Sequence, residues 1–389
     1  MLRGNSHLLQ TLGFSQTITG ATSTTVDPGS TKKDVYNAIS SRMGEVEDVL
    51  STDSLNTYDL NAVTEATLSA FATATGDPYV RYYSQARYES LLNDQSEGYA
   101  GIGVLFSEYN GQAYAVDVFE ASEAQRDGVR EGDYIVAIDG DRSQTWSRSE
   151  VAAVLSQKYG STVVVTWRRP ESVMADGGEE YTTTLECREY DSVNVTTEFN
   201  EETGVAYIKI RQFTQNSATL ASRALEELER QGARAYVLDL RDNPGGYLSQ
   251  AIDFASLFMN SGTVVEVQTR DGNSVKPATG NPRTQMPVVV IANKNTAAAA
   301  EVVVAALKES QRASVVGTTT LGKGSVQVIH ELTFGGAMRY TAAYYKTPQG
   351  HDIDQVGVTP TVTVEGISED EDSQKDFALD YAASLVVGE

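Results

Sequence analysis

Residues 193–365 alternate strand-like and helix-like segments in the order of βαβ units, which predicts an α/β fold. Two observations support that class. Val288–Ala292 is a near-continuous apolar run, as in a strand covered on both faces. The helical pattern over 218–230 stops at Gly232, a residue suited to ending a helix.

Taken in order, residues 1–30 are polar and rich in Ser, Thr and Gly, and read as a flexible leader. They lack the apolar stretch of a signal peptide. Val35, Ile39, Val46 and Leu50 keep helical spacing, predicting an amphipathic helix over 31–50. A second helix is expected over 61–75, then a turn at Gly76-Asp77-Pro78-Tyr79. Residues 31–95 are therefore read as a helical N-terminal region that caps the core or pairs with another subunit.

In the next region, 96–190, Ser147 and Glu150 form a capping-box pattern that opens a helix ending near Gly160. Strands are expected over 163–167 and 181–185. Beyond residue 191 come strands at 205–210, 235–240, 264–268, 314–316, 326–332 and 338–344. Helices over 248–259 and 298–307 complete the core, which is placed at 191–366. A last helix, within 367–389, is expected to pack back on the body.

The bulk chemistry narrows the function. A net charge of −23 opposes nucleic acid and anionic lipid, both of which need clustered Lys and Arg. The single Cys187 excludes an intrachain disulfide. No run reaches the roughly 18 apolar residues of a membrane span. His7, His330 and His351 sit in no serine-elbow or metal-ligand spacing, so neither a Ser-His-Asp triad nor a metal or other cofactor is expected.

Three segments carry the chemistry. Asp239-Leu240-Arg241-Asp242-Asn243-Pro244-Gly245-Gly246 follows a buried strand, and its glycines free backbone N–H groups to face a developing oxyanion. Asn293-Lys-Asn-Thr-Ala-Ala-Ala-Ala-Glu301 opens a helix, whose first N–H groups are unpaired. Gly322-Lys323-Gly324-Ser325-Val326-Gln327 brings in a lysine that a desolvating pocket could keep neutral. The Gly317-x4-Gly322-Lys323 run is not a phosphate loop, because Gly324 stands where a metal-binding hydroxyl is required and a strand follows.

Together these segments resemble the serine–lysine centre of the carboxyl-terminal processing peptidases, or tail-specific proteases. In that family the nucleophilic serine lies three residues before the Glu and 25 before the Lys. Both counts land here on Ala298. The resemblance implies a ClpP/crotonase-like core and assigns the nucleophile position to Ala298, the base to Lys323 and its orientation to Gln327. It implies an oxyanion hole from the N–H groups of Gly245, Gly246 and Ala299.

Gly101-Ile102-Gly103-Val104, and the stretch from Ala124 to Asp141, similarly resemble an inserted PDZ module. Gly101, Ile102, Gly103 and Val104 would then cradle a peptide's terminal carboxylate, with Val151 and Leu155 on the helix beside the groove. Arg169 is a candidate PDZ-to-core contact.

The implied activity is cleavage of protein or peptide substrates with free C-termini, and the resemblance leaves room for an activating partner. The 31–50 stripe together with the family points to a homodimer or larger homo-oligomer. The family also favours an extracytoplasmic protein, in a bacterial envelope or secreted, whose export or anchor segment is absent from this sequence.

Ala298 admits three readings: a serine deliberately replaced, a natural pseudoprotease that binds C-terminal tails without cutting, or a neighbouring nucleophile, Thr296. The intact surroundings favour the first. Acyl-CoA chemistry on the same fold would need an adenine-nucleotide site, which nothing here suggests.

Overall fold

The computed structural model describes residues 32–92, 100–119, 122–143, 145–158, 160–189, 194–365 and 372–387. Helices α1 (Lys32–Asp53) and α2 (Leu60–Thr73) belong to one compact unit, and the chain from Asp77 onward forms another. Asp59 caps α2, its carboxylate accepting from the Asn61 N–H at 2.8 Å. Ile39, Val46 and Leu50 of the expected stripe are exposed. The leader and the Val35 side chain lie outside what is described.

Past the Asp77 turn come β1 (Arg81–Tyr83) and α3 (Gln85–Leu92), a strap that the sequence reading did not anticipate. The inserted module contains β2 (Ala100–Gly101), β3 (Val104–Tyr109), β4 (Gln112–Val118), α4 (Glu123–Arg126), β5 (Tyr134–Ile138), α5 (Arg148–Gln157), β6 (Thr162–Arg169), β7 (Glu179–Glu186) and β8 (Arg188–Glu189). Its sheet runs β3-β4-β5-β6-β7, all antiparallel, while β2 pairs with β8. The Ser147–Glu150 capping box forms at the start of α5, Ser147 N–H donating to Glu150 Oε2 at 2.9 Å. Trp167 stacks on Phe106 in the module's core, with Cys187 buried in the same cluster.

The core continues through β9 (Val195–Asn200), β10 (Val205–Ile210), α6 (Ser217–Gln231), β11 (Ala235–Asp239), α7 (Leu248–Ser256), β12 (Thr263–Thr269), β13 (Gly272–Pro277), β14 (Val288–Ala292), α8 (Ala299–Glu309), β15 (Ser314–Gly317), β16 (Ser325–Glu331), β17 (Ala337–Lys346), β18 (Val362–Thr363) and α9 (Ser373–Val387). Its main sheet has the order β18-β15-β14-β11-β10-β9, parallel except for β9.

Every residue of β11 and β14 is buried, which is why both read as unbroken apolar runs. Helix α6 ends at Gly232 in the left-handed conformation (φ 101°) as expected. The terminal helix α9 seats Ala378 and Ala382 against Tyr207, Val237 and Ile291. A second sheet, β1-β17-β12-β13 with β16 also on β17, joins the strap to the core.

Candidate active site

The C-terminal ends of the adjacent parallel strands β11 and β14 carry two loops, the usual place for sites in α/β sheets. Three polar side chains tie these loops together. Asp242, at φ 59°, accepts from Asn293 Nδ2 (2.8 Å) and Asn295 Nδ2 (2.9 Å). Asn243 donates to the Ile210 carbonyl, and its own carbonyl takes the Ala297 N–H at 2.9 Å. Beneath them Asp239 is fully buried, held by Tyr207 Oη (2.6 Å) and by Arg241.

The two glycines are required by this geometry. Gly246 has φ 139°, and a Cβ there would lie 2.2 Å from the Phe213 carbonyl oxygen. A Cβ on Gly245 would meet Ala297 O, Ala299 N and the Ala298 methyl, all within 3 Å, so this loop presses directly on the start of α8. The Gly245 N–H is taken by Asn243 Oδ1 (2.8 Å). Among the described residues the Gly246 and Ala299 N–H groups donate to no acceptor of the chain, so these two remain for an oxyanion.

Ala298 adopts φ 52°, ψ −118° at the cap of α8. That conformation is costly for a residue with a Cβ, by about 1–3 kcal/mol, and such strain collects where a side chain must project from a sharp strand-to-helix turn. Thr296 is not free to act as a nucleophile. It is fully buried, donates to the Leu240 carbonyl at 2.8 Å and accepts from the Asn293 N–H.

Glu301, which entered the sequence argument only through its spacing, has a constructive role. Its buried carboxylate accepts from the Ala298 N–H (2.9 Å), the Lys323 N–H (2.8 Å), the Gly322 N–H (2.7 Å) and the Thr320 hydroxyl (2.5 Å). One side chain thus fixes the lysine loop to the start of α8. Burial pushes this carboxyl up to about 7 against the pull of those four donors.

The lysine is surrounded by groups from other segments. Burial lowers the Lys323 ammonium to about 8, with the Glu108 carboxylate opposing the shift and Arg339 and Arg148 adding to it. Its Nζ lies 5.5 Å from the centre of the Tyr79 ring. Gln327 Nε2 donates to Ser325 Oγ at 3.1 Å and is not hydrogen-bonded to Lys323. The β16–β17 register shifts between Val326 and Gln327, leaving Ala342 of β17 without an opposite partner.

The PDZ-like module packs against these segments. Leu105, Tyr114, Val116 and Tyr134 from its sheet pack in one cluster with Ala297 and Leu321 of the core. Arg211 after β10 pairs with Asp117 of β4, and Arg339 of β17 pairs with Glu108 of β3.

Comparison with known proteins settles the family. The peptidase family S41 model matches residues 204–364, and a PDZ domain model matches 100–186. A carboxyl-terminal-processing protease of Picosynechococcus is 36% identical over 295 residues, covering 74% of this chain and 70% of the relative. The chain belongs to the carboxyl-terminal-processing protease family. The carboxy-terminal processing protease CtpA of Bacillus subtilis is 29% identical, covering 83% of this chain and 68% of that one. A solved photosystem II D1 C-terminal processing protease shares the fold, with a TM-score of 0.67 at 24% identity over 91% of this chain and 94% of that one.

Gly101, Ile102, Gly103 and Val104 do lie beside α5, but Ile102, Val104, Val151 and Leu155 are buried in the PDZ core. β3 is the terminal strand of the module's sheet, and its residues from Val104 to Glu108 are buried. Arg169 does not reach the core: its guanidinium pairs with buried Asp133 (2.7 Å) and bonds to Tyr181 inside the module. His351 bonds to Glu309 Oε1 (3.2 Å), and His330 is exposed on β16.

Proposed function

We propose that this protein is the framework of a Ser–Lys endopeptidase that cuts protein substrates near their C-termini, made catalytically silent by alanine at position 298. The observation that carries this reading is the strained Ala298, with one carboxylate, Glu301, tying its N–H to the backbone of Lys323. With serine at 298, the hydroxyl would attack the scissile carbonyl while neutral Lys323 Nζ takes its proton. The Gly246 and Ala299 N–H groups would hold the oxyanion. The lysine proton would then pass to the leaving amine, and water would release the acyl group by the same route.

Seating of the PDZ sheet over Ala297 and Leu321 supports a gating role for the module, which substrate tails would relieve. Proteolysis of casein by Ala298→Ser, beside Ala298→Ser/Lys323→Ala, tests the reading. The single change should restore activity by on the order of 10⁶-fold, and the double change should abolish it. Folded Ala298→Ser that binds C-terminal peptides yet leaves casein intact would instead support a tail-binding pseudoprotease.

A further inference from the structure

The charged group that most strongly opposes the lowering of Lys323 belongs to the PDZ module, not to the protease core. Glu108 stands on β3 and is nearly inaccessible, as is its partner Arg339 on β17. Glu108 Oε2 also accepts the Arg148 N–H at the start of α5 (3.1 Å). Tyr79 lies under both cations, 5.5 Å from Lys323 Nζ and 6.0 Å from the Arg339 guanidinium carbon. Lys323 and Arg339 therefore meet one aromatic ring, and the carboxylate paired with Arg339 also acts electrostatically on Lys323.

Burying an Arg–Glu pair gives little net stability, and such pairs are better explained by what they hold in register. This one crosses from module to core and adjoins the proposed base. We propose that Glu108 is a positioning residue for Lys323: the seated PDZ module supplies the carboxylate that, against Arg339, sets the charge and placement of the lysine. This rests on the reading of Lys323 as general base.

The groups that face the lysine are Glu108 from β3, Arg339 from β17, Arg148 from α5, Glu301 from α8 and Tyr79 from the turn before β1. Of these, Glu108 and Glu301 favour the ammonium, and Arg339 and Arg148 oppose it. The carboxylate of Glu108 is itself an anion at any working pH. Burial would raise it, but Arg339 and Lys323 hold it down at about 2. The contribution of Glu108 is therefore a fixed charge, switched only by moving the module.

The test uses the protein as it is, with Ala298. Its lysines are labelled at Nζ with ¹⁵N, the Lys323 signal is assigned by its loss in Lys323→Met, and pH is titrated by NMR. Lys323 should titrate near 8 in the unaltered chain. In Glu108→Gln the titration should move down by on the order of one pH unit, and in Arg339→Gln it should move up. Opposite signs are what a purely structural role would not give. If either glutamine variant fails to fold, Glu108→Asp keeps the charge but retracts it, and a smaller downward shift is expected.

A titration unmoved by these changes, or moved the same way by both, overturns the proposal. Because this readout needs no catalysis, it stands apart from the casein assay. Lys323 could titrate as expected while Ala298→Ser stays silent, and that outcome would count against the protease reading alone.

Discussion

The two halves of the proposed catalytic centre are built differently. The nucleophile half is local: Asp242 to Gly246 and Asn293 to Glu301 are short stretches at the ends of neighbouring strands, fastened by Asn–Asp and Asn–backbone bonds. The lysine half is assembled from distant chain. Lys323 meets Tyr79 from the turn before the strap, Glu108 from the PDZ sheet and Arg339 from β17, the last two separated by 231 residues in sequence. A preformed backbone cradle can be rigid, whereas a lysine whose neighbours come from a second module can be adjusted by moving that module. Rigidity and adjustability are thus divided between the two reacting groups.

The largest expected effect tests the rigid half. In the Ala298→Ser background, Gly246→Ala places a methyl group 2.2 Å from the Phe213 carbonyl oxygen, so the loop must shift and its N–H with it. Loss of one oxyanion donor predicts a fall in kcat of roughly 10²–10³-fold, with KM much less affected. Unchanged kcat would show that the cradle is not made by this loop.

A middle-sized effect separates the halves by stability. Lys323 has its folded value lowered to about 8 from 10.5, so the charged lysine is disfavoured in the folded state. The penalty is full below pH 8 and disappears as pH rises to 10.5. Lys323→Met should therefore stabilise the fold at pH 7 by about 1–2 kcal/mol, and by less near pH 10, in thermal unfolding. A destabilised variant at pH 7 would mean that the lysine is held by favourable pairing rather than at a cost.

The smallest effect concerns the strained cap. Ala298→Gly relieves φ 52°, ψ −118° but adds backbone entropy to the unfolded chain. A net gain of about 1 kcal/mol is expected from denaturant unfolding. No gain would indicate that the surrounding bonds, not the residue, set this conformation cheaply.

The same division governs what could be read from sequence. Strands β10 and β14 and the stop of α6 were legible because burial pattern and Gly232 are local signals. The capping box at Ser147 was legible for the same reason. The spacing from Ala298 to Glu301 and Lys323 carried the family resemblance that puts the proposed nucleophile position at Ala298, although the four-donor role of Glu301 required the fold. The strap over β1 and α3 was missed because its short segments carry little periodicity and are fixed by β17 and by the PDZ module, Arg87 reaching Glu150 at 2.8 Å. Glu108 and Arg339 gave no signal, since a lone Glu and a lone Arg in separate strands reveal nothing about their meeting. The expectation for Gln327 depended on a side-chain direction that spacing alone does not show: its amide donates to Ser325 within the same strand.

The most direct measurement of the central claim is the pH dependence of kcat/KM for Ala298→Ser on a tail-bearing substrate. A neutral lysine base lowered by burial predicts an acid limb near pH 8, falling about tenfold per unit below it. Activity that is flat from about pH 6 to pH 9, or a limb unaffected when Lys323 is changed, would contradict the account.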